Sequence, residues 1–428
     1  MAAKEYLDSA GRPVVAATGI GVVTSLGQGK EDNWSKLTAG QSGIHYITRF
    51  PTDGLRTRIA GTVDSLFDRP VTASELSHAF ARLAVREAVA ESAINGKHEF
   101  PGPLFCAVPP VEIEWPAWRA LAAECDPAKP VDVEELIRVA ASKRRPDWHV
   151  NFLIGAVAER LAEEFGTRGL PISLSTACAS GASAIQLGLE AIRRGECDAA
   201  LCVGTDGSVH EEALVRFSLL SALSDSNDPP EAAAKPFSKN RDGFVMAEGA
   251  GAIVLESLAH AKARGARVLG VISGCGEMAD SFHRTRSSPD GKPIIGCMKN
   301  ALVDAAVTPE QIDYINAHGT GTPENDKMEH VGVAAVFGER VKQVPISSNK
   351  SMIGHTLTAA GAIETIFTLL TIAHQRIPPT INYKIPDPAI PLDVVPNVAR
   401  DAKVHRAISN SFGFGGQNVC LVLAGEPA

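Results

Sequence analysis

Nowhere in the chain do two cysteines stand as C-x-x-C; Cys106, Cys125, Cys178, Cys197, Cys202, Cys275, Cys297 and Cys420 are scattered singly. That spacing disfavours both a zinc site and a disulfide scaffold, so reduced thiols and no bound metal are expected. A basic excess is also missing. The net charge is -8 and the isoelectric point near 5.9, which argues against nucleic-acid binding because such proteins carry clustered cations. The local run SKRRP, at Ser142 to Pro146, reads as a solvated loop. No apolar segment occurs in MAAKEYLDSAGRP, so no signal peptide is expected. The longest apolar stretch, near AAGAIETIFTLLTIA, is interrupted by Glu364 and reads as too short for a membrane span. These absences point to a soluble, cytoplasmic protein. Low-complexity tracts and short-period repeats are missing too. Neither glycine loop fits a nucleotide site: SLGQGKE lacks the upstream Gly and the Ser/Thr of a P-loop, and SFGFGGQN leads into the strand-like VCLVLAG rather than a helix. No cofactor is indicated.

What remains is an ordinary globular composition over 428 residues, long enough for two or three domains or one large duplicated unit. Short apolar runs bounded by Gly and Pro alternate with segments of helical period, the pattern of an α/β protein with largely parallel sheets. RPVVAATGIG opens as a strand and turn, and PISLST (Pro171 to Thr176) alternates as a strand should. After Cys178 the spacing of Ile185, Leu189 and Ile192 predicts a helix, stopped by Arg193, Arg194 and Gly195. AALCVG follows as a buried strand. The second half repeats this grammar. VLGVISGCG reads as a strand, and IIGCMKNALVDAA as a helix with Ile295, Met298, Leu302 and Ala305 on one face. IDYINAHGTGTP and VPISSNKSMIGH each read as a strand entering a loop, with a helix from about Thr356 toward His374. RAISNSFGFGGQNVCLVLAG closes the chain as two strands around a glycine turn. A break between halves is placed near Glu256 to Gly270.

Sites in open α/β sheets form outside the carboxyl ends of strands. Cys178, His318 and the Lys350/His355 pair each stand just past a predicted strand, in different strand-to-helix units. A lone cysteine is usually packing and a lone histidine usually a satisfied imidazole, but the recurrence favours chemistry. A thiol at a helix N-terminus meets unpaired N–H groups and the positive end of the macrodipole, which favour the thiolate. Ala177, Ala179, Ser180 and Gly181 would leave room for a substrate carbonyl. An acyl-cysteine intermediate is therefore plausible, with an oxyanion held by the Cys178 N–H and a second donor from a loop such as SFGFGGQN.

The stretches STACASGASA, PFSKNRDGFVMAEGAG, INAHGTGTPENDKMEH, SSNKSMIGH and SNSFGFGGQN, in that order, resemble β-ketoacyl-(acyl-carrier-protein) synthases of the type II fatty-acid condensing group, within the thiolase superfamily. The resemblance runs from about Arg12 to Ala424. It implies an α/β thiolase-like duplicated fold in five layers, α-β-α-β-α, with an N-terminal half at 12–264, a C-terminal half at 265–424, and a homodimer formed largely through the first half. It also implies an acyltransferase that joins an acyl group to malonyl-acyl carrier protein with loss of carbon dioxide, giving 3-oxoacyl-acyl carrier protein in fatty-acid elongation.

Position by position, the resemblance makes Cys178 the nucleophile, His318 and His355 the donors to the malonyl thioester carbonyl, and Lys350 a local positive charge held by Glu364. Thr320 and Thr322 would contact the phosphopantetheine arm. Phe414 would be the gating aromatic, with Phe412 and Phe244 beside it, although core packing competes for all three phenylalanines. Some segments depart from the family. CAVPPVEIEWPAW (Cys106 to Trp118) stands where a Gly-rich lining is common, RRPDWHVNFLIGAVAERL replaces the usual approach to the nucleophile strand, and Thr358 replaces a Gly. Basic residues that commonly receive the carrier look depleted around TASELSHAF and at Asp225 and Ser226, which suggests a specialised carrier and a long acyl chain. A polyketide or nodulation-type ketosynthase would use the same residues. A thiolase would need a second cysteine in the SFGFGGQN loop, and a non-catalytic chain-length factor would lack Cys178.

Overall fold

The computed structural model describes residues 6–426 apart from 65, 68–70, 95–98 and 129; the first five residues of the segment read above for a signal peptide lie outside that set. Two runs of the chain follow one plan. The first is β1 (Val15–Thr24), α1 (Ala73–Ser92), β2 (Leu104–Ala107), α2 (Ala156–Phe165), β3 (Ile172–Leu174), α3 (Ser180–Arg193), β4 (Ala199–Asp206) and β5 (Gly249–Ser257). The second is β6 (Gly270–Ala279), α4 (Lys292–Asp304), β7 (Tyr314–Asn316), α5 (Pro323–Phe337), β8 (Pro345–Ser347), α6 (Ala360–His374), β9 (Arg406–Phe412) and β10 (Gln417–Ala424).

Sheet orders repeat as well: β3-β2-β4-β5-β1 in the first run and β8-β7-β9-β10-β6 in the second. In each, the first three strands named are parallel and the last two antiparallel to their neighbours. The sheets meet where Val15–Ala17 of β1 pairs antiparallel with Gly270–Ile272 of β6. This is the duplicated α/β architecture expected, but the sheets are mixed and not largely parallel, because β1, β5, β6 and β10 pair antiparallel.

Alternation along the strands builds the five layers. Leu201 and Val203 of β4 face α1 and α2, while Ala200 and Cys202 face α3. In β10, Cys420 and Val422 face α4 and α5, while Leu421 and Leu423 face α6. Both faces of each sheet are therefore buried, which is why these strands read as continuous apolar runs. Helices α3 and α6 form the middle layer and cross where each has a glycine. A Cβ on Gly181 would stand 2.5 Å from the Ala362 nitrogen, and one on Gly361 would stand 2.4 Å from the Ala182 nitrogen. Gly181 thus serves helix packing, not the substrate clearance expected of it.

Three other expectations are corrected. The glycines of ATGIG do not turn the chain: β1 runs on through Thr24, and Gly19 and Gly21 let α1 approach, since a Cβ at either would lie 2.0 Å from the Ala88 or Ala84 carbonyl oxygen. The inner face of α4 is Ile294, Cys297, Met298, Ala301 and Leu302, with Ile295 and Ala305 only partly buried. The apolar run at α6 spans Leu357–His374 when its leading turn is counted, long enough by length and composition to cross a membrane, yet 89% buried between the sheets. Tertiary packing explains its composition.

Between β2 and α2 the chain inserts helices Trp115–Ala123, Val133–Ser142 and Pro146–Asn151. They cover the departure at Cys106 to Trp118 and leave Trp115, Trp118, Phe152, Leu153 and Ile154 substantially exposed.

Candidate active site

Two-fold repetition fixes where the site falls. Cys178 lies between β3 and α3, and His355 lies at the corresponding place between β8 and α6, so the N-termini of the paired central helices converge. Ala177 adopts φ 48°, unfavourable for a residue with a Cβ. This kink is held by the Ser180 hydroxyl, which donates to the Ala177 carbonyl at 2.6 Å and accepts from the Thr176 N–H at 2.7 Å. His318 enters from the loop after β7. That loop is clamped by Glu329 of α5, whose carboxylate accepts the His318 N–H at 2.8 Å and the Gly319 N–H at 2.7 Å.

One nitrogen from each of His318 and His355 and the Cys178 sulfur all lie within 4.8 Å of one another. His355 Nε2 is 3.1 Å from Cys178 Sγ, and the two imidazoles meet edge to face at 5.3 Å between centroids. Burial first, and the positive charge of Lys350 second, hold His355 well below the usual imidazole range. The same causes, with His355 added, act on His318. Both rings are neutral.

Their tautomers follow from the partner each Nδ1 meets. The Leu357 backbone N–H donates to His355 Nδ1 at 3.2 Å, and the Lys350 ammonium lies 3.4 Å from His318 Nδ1. Both Nδ1 atoms therefore accept, and both Nε2 atoms carry the proton. The site presents a pair of neutral N–H donors, which suits stabilisation of developing negative charge. A cysteine with two imidazoles is also a donor set zinc accepts. Here an ammonium beside one ring opposes a divalent cation, and neither Nδ1 faces the carboxylate or carbonyl that usually orients a ligating histidine.

Lys350 lies behind the rings, fully buried. Its ammonium donates to the His318 carbonyl at 2.7 Å and is ion-paired with Glu364. Burial lifts the Glu364 carboxyl to about 7 against the pull of Lys350. The other expected residues line a single cavity of about 460 Å³ with Cys178, His318 and His355. Thr320 and Thr322 share a hydrogen bond at 2.9 Å, and Thr322 caps α5 by accepting the Asn325 N–H. Phe244 packs edge-on against His355 at 5.3 Å, and Phe412 against His318 at 5.7 Å. Phe414 is half-buried on the glycine turn, and its backbone N–H faces the Cys178 sulfur.

The ionised thiol expected at Cys178 is corrected. Burial pushes it up to about 11, outweighing the lowering by Lys350 and the Phe414 N–H. A helix N-terminus favours a thiolate only where the field exceeds the desolvation cost, and this sulfur is enclosed. Iodoacetamide alkylation of Cys178 should therefore keep rising through pH 9 and level off near pH 11. A plateau below about pH 8, as an activated thiolate would give, contradicts this assignment.

Several residues escaped sequence reading. Asp206 closes β4 and accepts from Thr358, with Oγ1 at 2.7 Å and N at 3.1 Å, and from the Ser208 backbone N–H at 3.0 Å. Thr358 thus ties the loop after His355 to the opposite sheet. Glu329 had a signal, a carboxylate eleven residues past a histidine in a Gly/Thr loop. Exposed Arg284 and Arg286 line the cavity mouth, and among the described residues neither forms an ion pair. Nothing local in HRTRSS marks them.

Enclosed thiol, paired N–H donors and duplicated α/β sandwich together define a condensing enzyme of the thiolase fold. The chain belongs to the β-ketoacyl synthase family. Residues 12–92 and 134–261 match its N-terminal domain, and residues 269–384 its C-terminal domain. The gap in the first match, 93–133, contains the whole Cys106 to Trp118 stretch. The chain is 36% identical over 417 residues to 3-oxoacyl-[acyl-carrier-protein] synthase 2 of Coxiella burnetii, covering 96% of this chain and 98% of that protein. It is 35% identical over 427 residues to the tetracenomycin polyketide synthase ketoacyl synthase alpha subunit of Streptomyces glaucescens, covering 96% of each. It also superposes on a chain of the AntDE:AntF complex, a type II polyketide carrier protein with its ketosynthase bound to the hexaketide. That match has a TM-score of 0.84 and 30% identity over 97% of this chain and 100% of that one. The protein is a ketosynthase.

Proposed function

We propose that the protein is a 3-oxoacyl-acyl carrier protein synthase acting in the cytoplasm. The observation that carries this reading is the convergence of the Cys178 sulfur with one ring nitrogen from each of His318 and His355 within 4.8 Å. Cys178 gives up its proton and attacks the carbonyl of an acyl-carrier thioester; the carrier thiol leaves protonated and acyl-Cys178 remains. A malonyl-carrier thioester then enters past Thr320 and Thr322. The Nε2–H groups of His318 and His355 donate to its carbonyl oxygen, which takes up the electron pair released with carbon dioxide. The resulting enolate carbon attacks acyl-Cys178. That attack forms the new carbon–carbon bond and an oxyanion held by the Cys178 and Phe414 backbone N–H groups; its collapse restores the carbonyl and breaks the carbon–sulfur bond, and the released Cys178 thiolate takes up a proton from solvent.

Fatty-acid elongation is the role proposed, and near-equal identity to a polyketide subunit supports the polyketide reading beside it. A thiolase is disfavoured because Cys420, the cysteine near the glycine turn, is buried within β10. The exposed edge of β3, with Ile172 and Leu170 uncovered, supports a homodimer. Arg284 and Arg286 at the mouth are suited to an acidic carrier, so carrier preference would be set there and not at the depleted positions.

Carbon dioxide release from malonyl-acyl carrier protein should depend on an acyl group at Cys178, and the product mass should equal a 3-oxoacyl carrier. Condensation of two coenzyme A thioesters without carbon dioxide release would replace this reading with a thiolase.

A further inference from the structure

On the side lined by Ala213, Phe217 and Phe244, the Cys178 cavity carries an unusual charged wall of Glu112, His210 and Arg216. Glu112 and His210 also line a second cavity of about 330 Å³, walled largely by apolar groups such as Val108, Trp148 and Ile154. The wall is held in place from several directions. Arg216 is ion-paired with Glu112, and His210 Nδ1 lies 2.9 Å from Glu212. Glu212 in turn accepts the Trp115 N–H at the start of the inserted helix. Burial opposes charge on His210, but the Glu212 hydrogen bond and the Glu114 carboxylate raise it above the ordinary imidazole range.

A saturated chain lying against this wall strips water from charged groups and returns no hydrogen bond. A chain oxygen changes the balance. A carbonyl accepts from Arg216 or His210, and a hydroxyl can in addition donate to Glu112. We infer that this wall makes the acyl arm select chains bearing an oxo or hydroxyl group beyond the thioester over saturated chains of equal length. The inference rests on the ketosynthase reading above and specifies its substrate class: of the two roles named there, oxygenated chains fit the polyketide one and not elongation of saturated fatty acids. Glu112 and His210 line both cavities and so stand between the Cys178 cavity and the apolar one, which argues against a long saturated acyl group.

The test follows loading of Cys178 by intact mass. In each case the Cys178 thiol takes the acyl group and the donor leaves as its free thiol. Donors are N-acetylcysteamine thioesters of acetate, octanoate, mid-chain oxo- and hydroxy-octanoate, and dodecanoate. The oxygenated octanoyl donors should load at least about tenfold faster than octanoyl, since a site built for hydrogen bonds rejects the analogue lacking them. In Glu112→Leu/Arg216→Leu the ratio should fall to about twofold or less. If that double variant melts early, Arg216→Gln, at a side chain 51% exposed, should lower the ratio in the same direction. Equal or faster loading by octanoyl, a ratio unchanged in the variants, or fastest loading by dodecanoyl would each overturn the inference. Acetate, which has no chain beyond its methyl group, separates the two claims. Failure of acetyl loading sinks the ketosynthase reading itself, whereas acetyl loading without oxygen preference sinks only the selectivity.

Discussion

His318→Ala should still load Cys178 but lose condensation by about a hundredfold to a thousandfold, the usual cost of one preorganised donor. His355→Ala should be impaired in both half-reactions. The asymmetry follows from geometry: His355 Nε2–H touches the sulfur at 3.1 Å, whereas His318 is held at Nδ1 by Lys350 and at its backbone N–H by Glu329, which leaves its Nε2–H for the second thioester. Single-turnover loading, read by intact mass, and carbon dioxide release, read separately, resolve the two. Equal deficits in loading for both variants would show that the imidazoles act as one unit and remove the division of labour.

Lys350→Met should be the most damaging substitution behind the site. Removing one partner of a buried ion pair costs about 3–5 kcal/mol, and Glu364 is enclosed with one carboxylate oxygen already unpartnered among the described residues. Without Lys350, the remaining influences on Glu364, burial and Glu329, both push its carboxyl further above 7. A folded-state pKa above the unfolded one gives stability that is present at low pH and lost as pH rises through the folded value. The melting-temperature deficit of the variant should therefore be smaller near pH 5 than near pH 8. Lys350→Met/Glu364→Leu should regain part of the stability, because no carboxylate is left unpaired. It should not regain condensation, because His318 Nδ1 no longer faces a donor and its Nε2–H tautomer is no longer imposed. A double variant with full activity would make Lys350 purely structural.

The unequal legibility of the sequence has physical causes. Strands β4 and β10 were plain because both faces are buried and their apolar runs are unbroken; Cys178 and the two histidines were plain because each follows a short strand in a Gly- or Ser-rich loop. Gly19 and Gly21 read as a turn and Gly181 as clearance for a substrate, because glycine can turn a chain, clear space or admit a neighbouring helix, and only the presence of α1 or α6 against it distinguishes these uses. Asp206 and Arg284 carried no local mark at all. Their partners, Thr358 and the cavity mouth, are supplied by distant parts of the chain.

Local order therefore set the elements, the repeated strand and helix plan, and the identity of the sulfur and the rings, since periodicity and flanking residues act over a few positions. Charge state and direction belonged to the assembled molecule. Whether Cys178 rests as thiol, which nitrogen of each ring bears hydrogen, and what wall an acyl chain meets all depend on desolvation and on groups far apart in sequence, and those exist only once both sheets have closed around α3 and α6.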